Sequence, residues 1–130
     1  TADIFEDSHT YRLKGQDKYL TLVEAQNGHG WRYYKAYVAD RLDGVWQPLA
    51  AGRDDAFASM RNVTAQADRW TDAISHIELL RSGCDERLEA DPASLRPIFQ
   101  GVLDKDCQGK AYGEIPWKLG LLQPGRQHGP

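Results

Sequence analysis

At 130 residues the chain is long enough for one hydrophobic core and too short for two. A formal net charge of -3 leaves no basic field to hold nucleic acid. No apolar run approaches the roughly 20 residues that a membrane-crossing helix needs. Four Trp and six Tyr are many for this length, and such faces either fill a small β core or stack on sugar rings. Thr1-Ala2-Asp3 shows neither a start methionine nor a leader, which fits a removed signal segment or a chain cut from something longer. Cys84 and Cys107 are compatible with one disulfide or with two reduced thiols.

Residues 4–11 are acidic, carry His9, and feed directly into strand-type sequence. A carboxylate such as Glu6, set beside Phe5 on a chain about to enter a core, is costly unless it has a task. The first strand is expected over residues 10–13, followed by a turn at 14–18. A second strand spans 19–25, a turn 27–30, and a third strand 31–38. The Asp43-Gly44 turn then leads to a short fourth strand over 45–47. These four antiparallel strands read as one meander sheet.

Leu20 and Leu22 point to one face, and Tyr19, Thr21 and Val23 to the other. In the third strand Trp31, Tyr33 and Tyr37 oppose Tyr34, Ala36 and Val38. A sheet with one wet face alternates apolar and polar residues, so here both faces are expected to be covered, as in stacked propeller blades.

Residues 48–72 form a long connection with one short β piece at Asn62-Val63-Thr64, which is also a glycosylation sequon. Strand character returns at 74–81, with 87–90 as its hairpin partner, then at 95–100 and 115–122. Residues 123–130 read as a tail, which leaves 1–122 as the folded unit. The class is all-β, with about two to three blades of antiparallel meander sheet. Closed propellers take roughly 4–8 blades of about 40 residues each, so the chain is expected to be part of a larger ring.

Three positions are candidates for chemistry. Glu6, walled by Phe5, is placed as a proton donor; the alternative is a solvated carboxylate at a chain end. His76, in mid-strand, is either a metal ligand or a hydrogen-bonded core histidine, and it lacks the clustered partners of a zinc site. Tyr112 and Trp117 bracket a loop that serves as a sugar platform or packs a terminus. His9, three residues after Glu6, either tunes that carboxylate or is solvated. Phosphate loops, Gly-x-Ser-x-Gly elbows and Cys-x-x-Cys pairs are absent from the sequence.

Phe5-Glu6 leads into Tyr11-Arg12-Leu13-Lys14-Gly15, then Lys18-Tyr19-Leu20 with Val23-Glu24-Ala25. Asn62-Val63-Thr64 follows, then Trp70-Thr71-Asp72 with Ile74-Ser75-His76, and Ile115-Pro116-Trp117 with Leu119-Gly120-Leu121-Leu122. In that order these segments resemble the C-terminal portion of glycoside hydrolase family 62, the α-L-arabinofuranosidases. The resemblance implies part of a five-bladed β-propeller that removes arabinofuranosyl side chains from arabinoxylan with inversion. It implies that Glu6 is the general acid, that Tyr112 lines the substrate site, and that His76 lies near the centre of the ring by a bound structural calcium. It also implies that the base and tuning aspartates lie on missing N-terminal blades of the same protein, and that the enzyme is secreted.

Three departures stand out. Asp7 occupies a position where the family usually has a small residue, Ile77 stands where a glycine commonly follows the histidine, and residues 91–95 lack a cysteine often found there. The reading from a different class is a non-catalytic carbohydrate-binding or assembly module.

Overall fold

The computed structural model describes residues 3–26 and 31–125. Four antiparallel strands come first: β1 (Ile4–Leu13), β2 (Tyr19–Gln26), β3 (Arg32–Ala39) and β4 (Gln47–Ala50). They lie side by side in chain order, as the turn chemistry of the sequence indicates. The turn assigned to residues 27–30 and the end of the tail, 126–130, lie outside the described residues. After the long connection come β5 (Ser75–Leu79), β6 (Glu89–Ala90) and β7 (Pro97–Gly101). A single helical turn α1 (Asp104–Cys107), a 3-10 turn at Tyr112–Glu114 and β8 (Lys118–Leu121) complete the chain. The result is two open sheets, β4-β3-β2-β1-β6 and β5-β7-β8.

Several boundaries differ from those read in the sequence. The first strand begins at Ile4 rather than residue 10, so Phe5 and Glu6 lie within the strand. The fourth strand starts at Gln47 and carries Pro48. A residue without an N–H is tolerated there because β4 is the edge of its sheet.

Asn62-Val63-Thr64 forms no strand. The Asn62 side chain accepts the Ser59 N–H at 2.7 Å and donates to the Ala56 carbonyl at 2.9 Å, so local side-chain bonding replaces a ladder. The final strand is confined to Lys118–Leu121, because the preceding residues are taken up by the 3-10 turn and Pro116.

The largest correction concerns residues 87–90. Only Glu89–Ala90 is extended, and it pairs in parallel with β1 (Arg12 with Glu89, Leu13 with Ala90) rather than as a hairpin with β5. Lys14 N–H donates to the Ala90 carbonyl, while Ser82 N–H reaches Glu89. This two-residue strand therefore stitches the second half of the chain to the first sheet. Cys84 and Cys107 are free thiols.

The two sheets share one core, which includes Tyr11, Leu20, Leu22, Tyr34 and Ala36 from the first and Ile77, Leu79 and Phe99 from the second. Trp70 stacks on Phe99 with centroids 5.4 Å apart. Gly120, paired with Phe99 across β7 and β8, leaves room for both rings, since a Cβ there would collide with them.

Among the described residues, the edge of β5 turned away from β7 has no neighbouring strand. Its N–H groups are met by side chains of the first sheet: Tyr34 Oη accepts from Ile77 at 2.9 Å, Tyr11 Oη from Leu79 at 3.0 Å, and Glu24 from His76 at 2.9 Å. Buried backbone donors need partners, and two phenols and a carboxylate supply them.

Burial drives the phenols of Tyr11 and Tyr34 upward in pKa; hydrogen bonding to Asp7 and the Glu24 charge add to the effect at Tyr34. Tyr33 is pushed up to about 12 by burial, with its bond to Asp3 and that group's charge adding. A raised folded pKa means that the native state holds these protons after the unfolded chain has released them. The contribution is thus fully present below about pH 10 and is lost as pH climbs through the folded values. The urea midpoint is expected to drop beyond about pH 10, and a midpoint that does not move there would contradict the burial of these phenols.

Candidate active site

Two irregularities in the ladders build the site. Along β1, Ile4 pairs with Ala25 and Ser8 with Val23, a four-residue step against two on β2. The surplus is a bulge at Phe5-Glu6-Asp7, with Asp7 in the left-handed region at φ 55°. Asp is among the few side chains that tolerate that conformation. The bulge turns Glu6 outward and Asp7 inward. Along β5, Ser75 pairs with Gln100 and Glu78 with Ile98, three residues against two, and His76 takes φ 49°. Strained backbone of this kind concentrates at functional sites.

Glu24 lies between the two bulges. It follows Leu20 and Leu22 on the inward face of β2 and is fully buried. A buried carboxylate must be paired and hydrogen-bonded. Arg32 Nη1 donates to its Oε1 at 3.0 Å, the Ser75 hydroxyl lies 3.0 Å from its Oε2, the Tyr34 hydroxyl 3.0 Å, and the His76 N–H 2.9 Å. The Tyr34 proton is shared with Asp7 Oδ2, at 2.5 Å. His9 sits between Asp7 (2.8 Å) and Glu78 (2.5 Å), which ties the first bulge to β5 a second time. Asp3 accepts from Lys35 at 2.5 Å and from Tyr33. Burial works to raise the Asp3 pKa, and the bonds from Lys35 and Tyr33 hold it below the usual range.

Glu6 is open, with 45% of its side chain exposed, in contrast to the buried Glu24. Its Oε1 is reached by Arg32 Nη1 at 3.2 Å. The Arg32 guanidinium lies over the rings of Phe5 (5.0 Å) and Trp117 (5.8 Å), an arrangement that favours a cation.

His76 makes a 2.7 Å contact with Ser75 through Nδ1 and stands 3.9 Å from Glu24. Among the described residues no group of three or more His, Cys, Asp or Glu is disposed to hold a metal ion. Calcium takes six to eight oxygen ligands, so these residues alone do not form its cage. Tyr112 stands exposed on the 3-10 turn, and the aromatic from that segment that meets Arg32 is Trp117.

The roles of Glu24, Arg32 and Ser75 are not evident from sequence reasoning about single positions. One signal was present: Glu24 falls in register with Leu20 and Leu22 on a face that is otherwise apolar, where an acid requires a partner.

The chain as a whole is similar to known proteins. Residues 1–123 fit the model for glycosyl hydrolase family 62. Alpha-L-arabinofuranosidase C of Cellvibrio japonicus (strain Ueda107) is 42% identical over 120 residues, which make up 92% of this chain and 19% of that protein. The catalytic domain of a Coprinopsis cinerea alpha-L-arabinofuranosidase of the family superposes with a TM-score of 0.86 at 38% identity, covering 92% of this chain and 37% of that one. The alpha-L-arabinofuranosidase from Podospora anserina, solved with cellotriose, gives 0.83 at 39% identity, with the same coverages. A further hydrolase of the family, solved with xylotriose, gives 0.83 at 36% identity, covering 91% and 37%. The chain thus spans well under half the length of each relative, and a family model that matches residues 1–123 places it: it belongs to glycosyl hydrolase family 62.

Proposed function

We propose that this chain is the C-terminal portion of an α-L-arabinofuranosidase that releases arabinofuranosyl side chains from arabinoxylan by inverting hydrolysis, with Glu6 as the general acid. One observation carries the assignment of Glu6. Of the carboxylates gathered at the bulges, Asp7 and Glu24 are turned onto internal donors and Glu78 is paired with His9, while Glu6 is open to a substrate beside the Arg32 guanidinium. In inverting hydrolysis one carboxyl protonates the departing glycosidic oxygen. A second, typically about 6.5–9.5 Å away, activates a water on the opposite face.

Asp7 and Glu24 are tied to internal donors, and the resemblance to the family assigns the base and the tuning aspartate to N-terminal blades that complete a five-bladed ring. A structural calcium beside His76 would take most of its oxygen ligands from that same part. Tyr112 lines the arabinose pocket from its exposed turn. A polymeric substrate of this kind calls for a secreted enzyme.

Assayed alone, the 130-residue chain is expected to release no arabinose from arabinoxylan or from a nitrophenyl arabinofuranoside. Turnover by the isolated chain would overturn the division of carboxylates between two parts. The exposed rings of Phe5, Trp31 and Tyr112 support a second reading, a module that binds carbohydrate without cleaving it. Saturable binding of arabinoxylan by the chain, together with inactivity of the completed domain, would favour that reading.

A further inference from the structure

We propose that Arg32 is a positioning residue for Glu6, held in place by the buried carboxylate of Glu24. This rests on the reading of Glu6 as the general acid.

An exposed ion pair fixes little, because two long side chains must be ordered to make it. Arg32 is not of that kind. Only 13% of its side chain is exposed, and its Nη1 reaches Glu24 and Ser75, both at 3.0 Å. Glu24 is itself fixed by Tyr34, Ser75 and the His76 N–H. The same Nη1 then extends to Glu6 at 3.2 Å. The Phe5 and Trp117 rings keep the guanidinium from swinging away. Glu6 is thereby referred to a fixed point inside the fold and is spared the free rotamer search of a surface carboxylate. Misplacing a reacting group by about 1 Å can cost on the order of a hundredfold in rate. The flat guanidinium that lies over the Phe5 and Trp117 rings is not reproduced by the compact ammonium of lysine.

The test uses the complete catalytic domain and compares Arg32→Gln, Arg32→Lys, Glu6→Gln and the Arg32→Gln/Glu6→Gln pair on arabinoxylan. Arg32→Gln is expected to lower kcat roughly tenfold to a hundredfold while KM stays within about twofold, the pattern of an interaction acting on the chemical step. Arg32→Lys is expected to recover part of the loss. In the Glu6→Gln background Arg32→Gln should add less than about threefold, because groups acting as one unit are not additive.

A rise in KM at unchanged kcat, or fully additive losses, would overturn the proposal while leaving the acid assignment standing. Wild-type rates for Glu6→Gln would remove the acid reading and the positioning role together. Should Arg32→Gln not fold, Arg32→Lys carries the test alone. A fall in kcat with the thermal midpoint unchanged supports the proposal, and an unchanged kcat overturns it.

Discussion

In the completed catalytic domain, Glu6→Gln is expected to slow arabinose release from arabinoxylan by about 10²–10⁴-fold, the range general acid catalysis contributes. At about 1.4 kcal/mol per factor of ten, that is roughly 3–5.5 kcal/mol of barrier. The substitution is nearly isosteric, and the amide oxygen still accepts from Arg32, so the bulge and its stacking should survive. What is lost is the proton. The loss should depend on the leaving group, because a sugar hydroxyl needs protonation to depart while a nitrophenolate does not. Glu6→Gln is therefore expected to be far less damaging on the nitrophenyl arabinofuranoside than on the polymer. Equal losses on both substrates would point to misfolding or substrate binding, and unchanged rates on the polymer would remove Glu6 from the acid role.

The second large effect concerns stability. Glu24→Ala is expected to destabilise the domain by about 3–5 kcal/mol, the usual cost of breaking a buried charged pair from one side. The deletion strips the Arg32 guanidinium of its buried counter-charge. It also removes an acceptor from the Ser75 hydroxyl and leaves the His76 N–H, which has no strand neighbour, without its partner. The urea midpoint is the measurement. A loss below about 1 kcal/mol would show that water or Glu6 takes over as acceptor. Glu24→Gln should fall between, since it keeps a hydrogen-bonding oxygen but not the charge.

The two predictions also mark what could be read from the chain alone. The four-strand meander was legible because turn residues and β-branched or aromatic runs alternate over its length, and β2 and β3 came out within a residue of their expected limits. The pairing of Glu89–Ala90 was not legible. Two residues carry no period, and proximity in sequence suggested a hairpin with β5, whose free edge is closed instead by Tyr34, Tyr11 and Glu24. Glu6 was visible as a carboxylate beside an aromatic, but its role came from resemblance to a family and not from pattern. Arg32 was hidden for a different reason. Its partners lie on β1, β2 and β5 and just before β8, and no local spacing reports a convergence of four separate segments.

The surplus residues in β1 carry a consequence for how this stretch can vary through evolution. The spacing between Ile4 and Ser8 is as constrained as the side chains it carries, because four residues on β1 span two on β2. Losing one residue would invert the alternation and bring Glu6 to the inside and Asp7 to solvent. Homologous enzymes should therefore show insertions or deletions in this interval almost never.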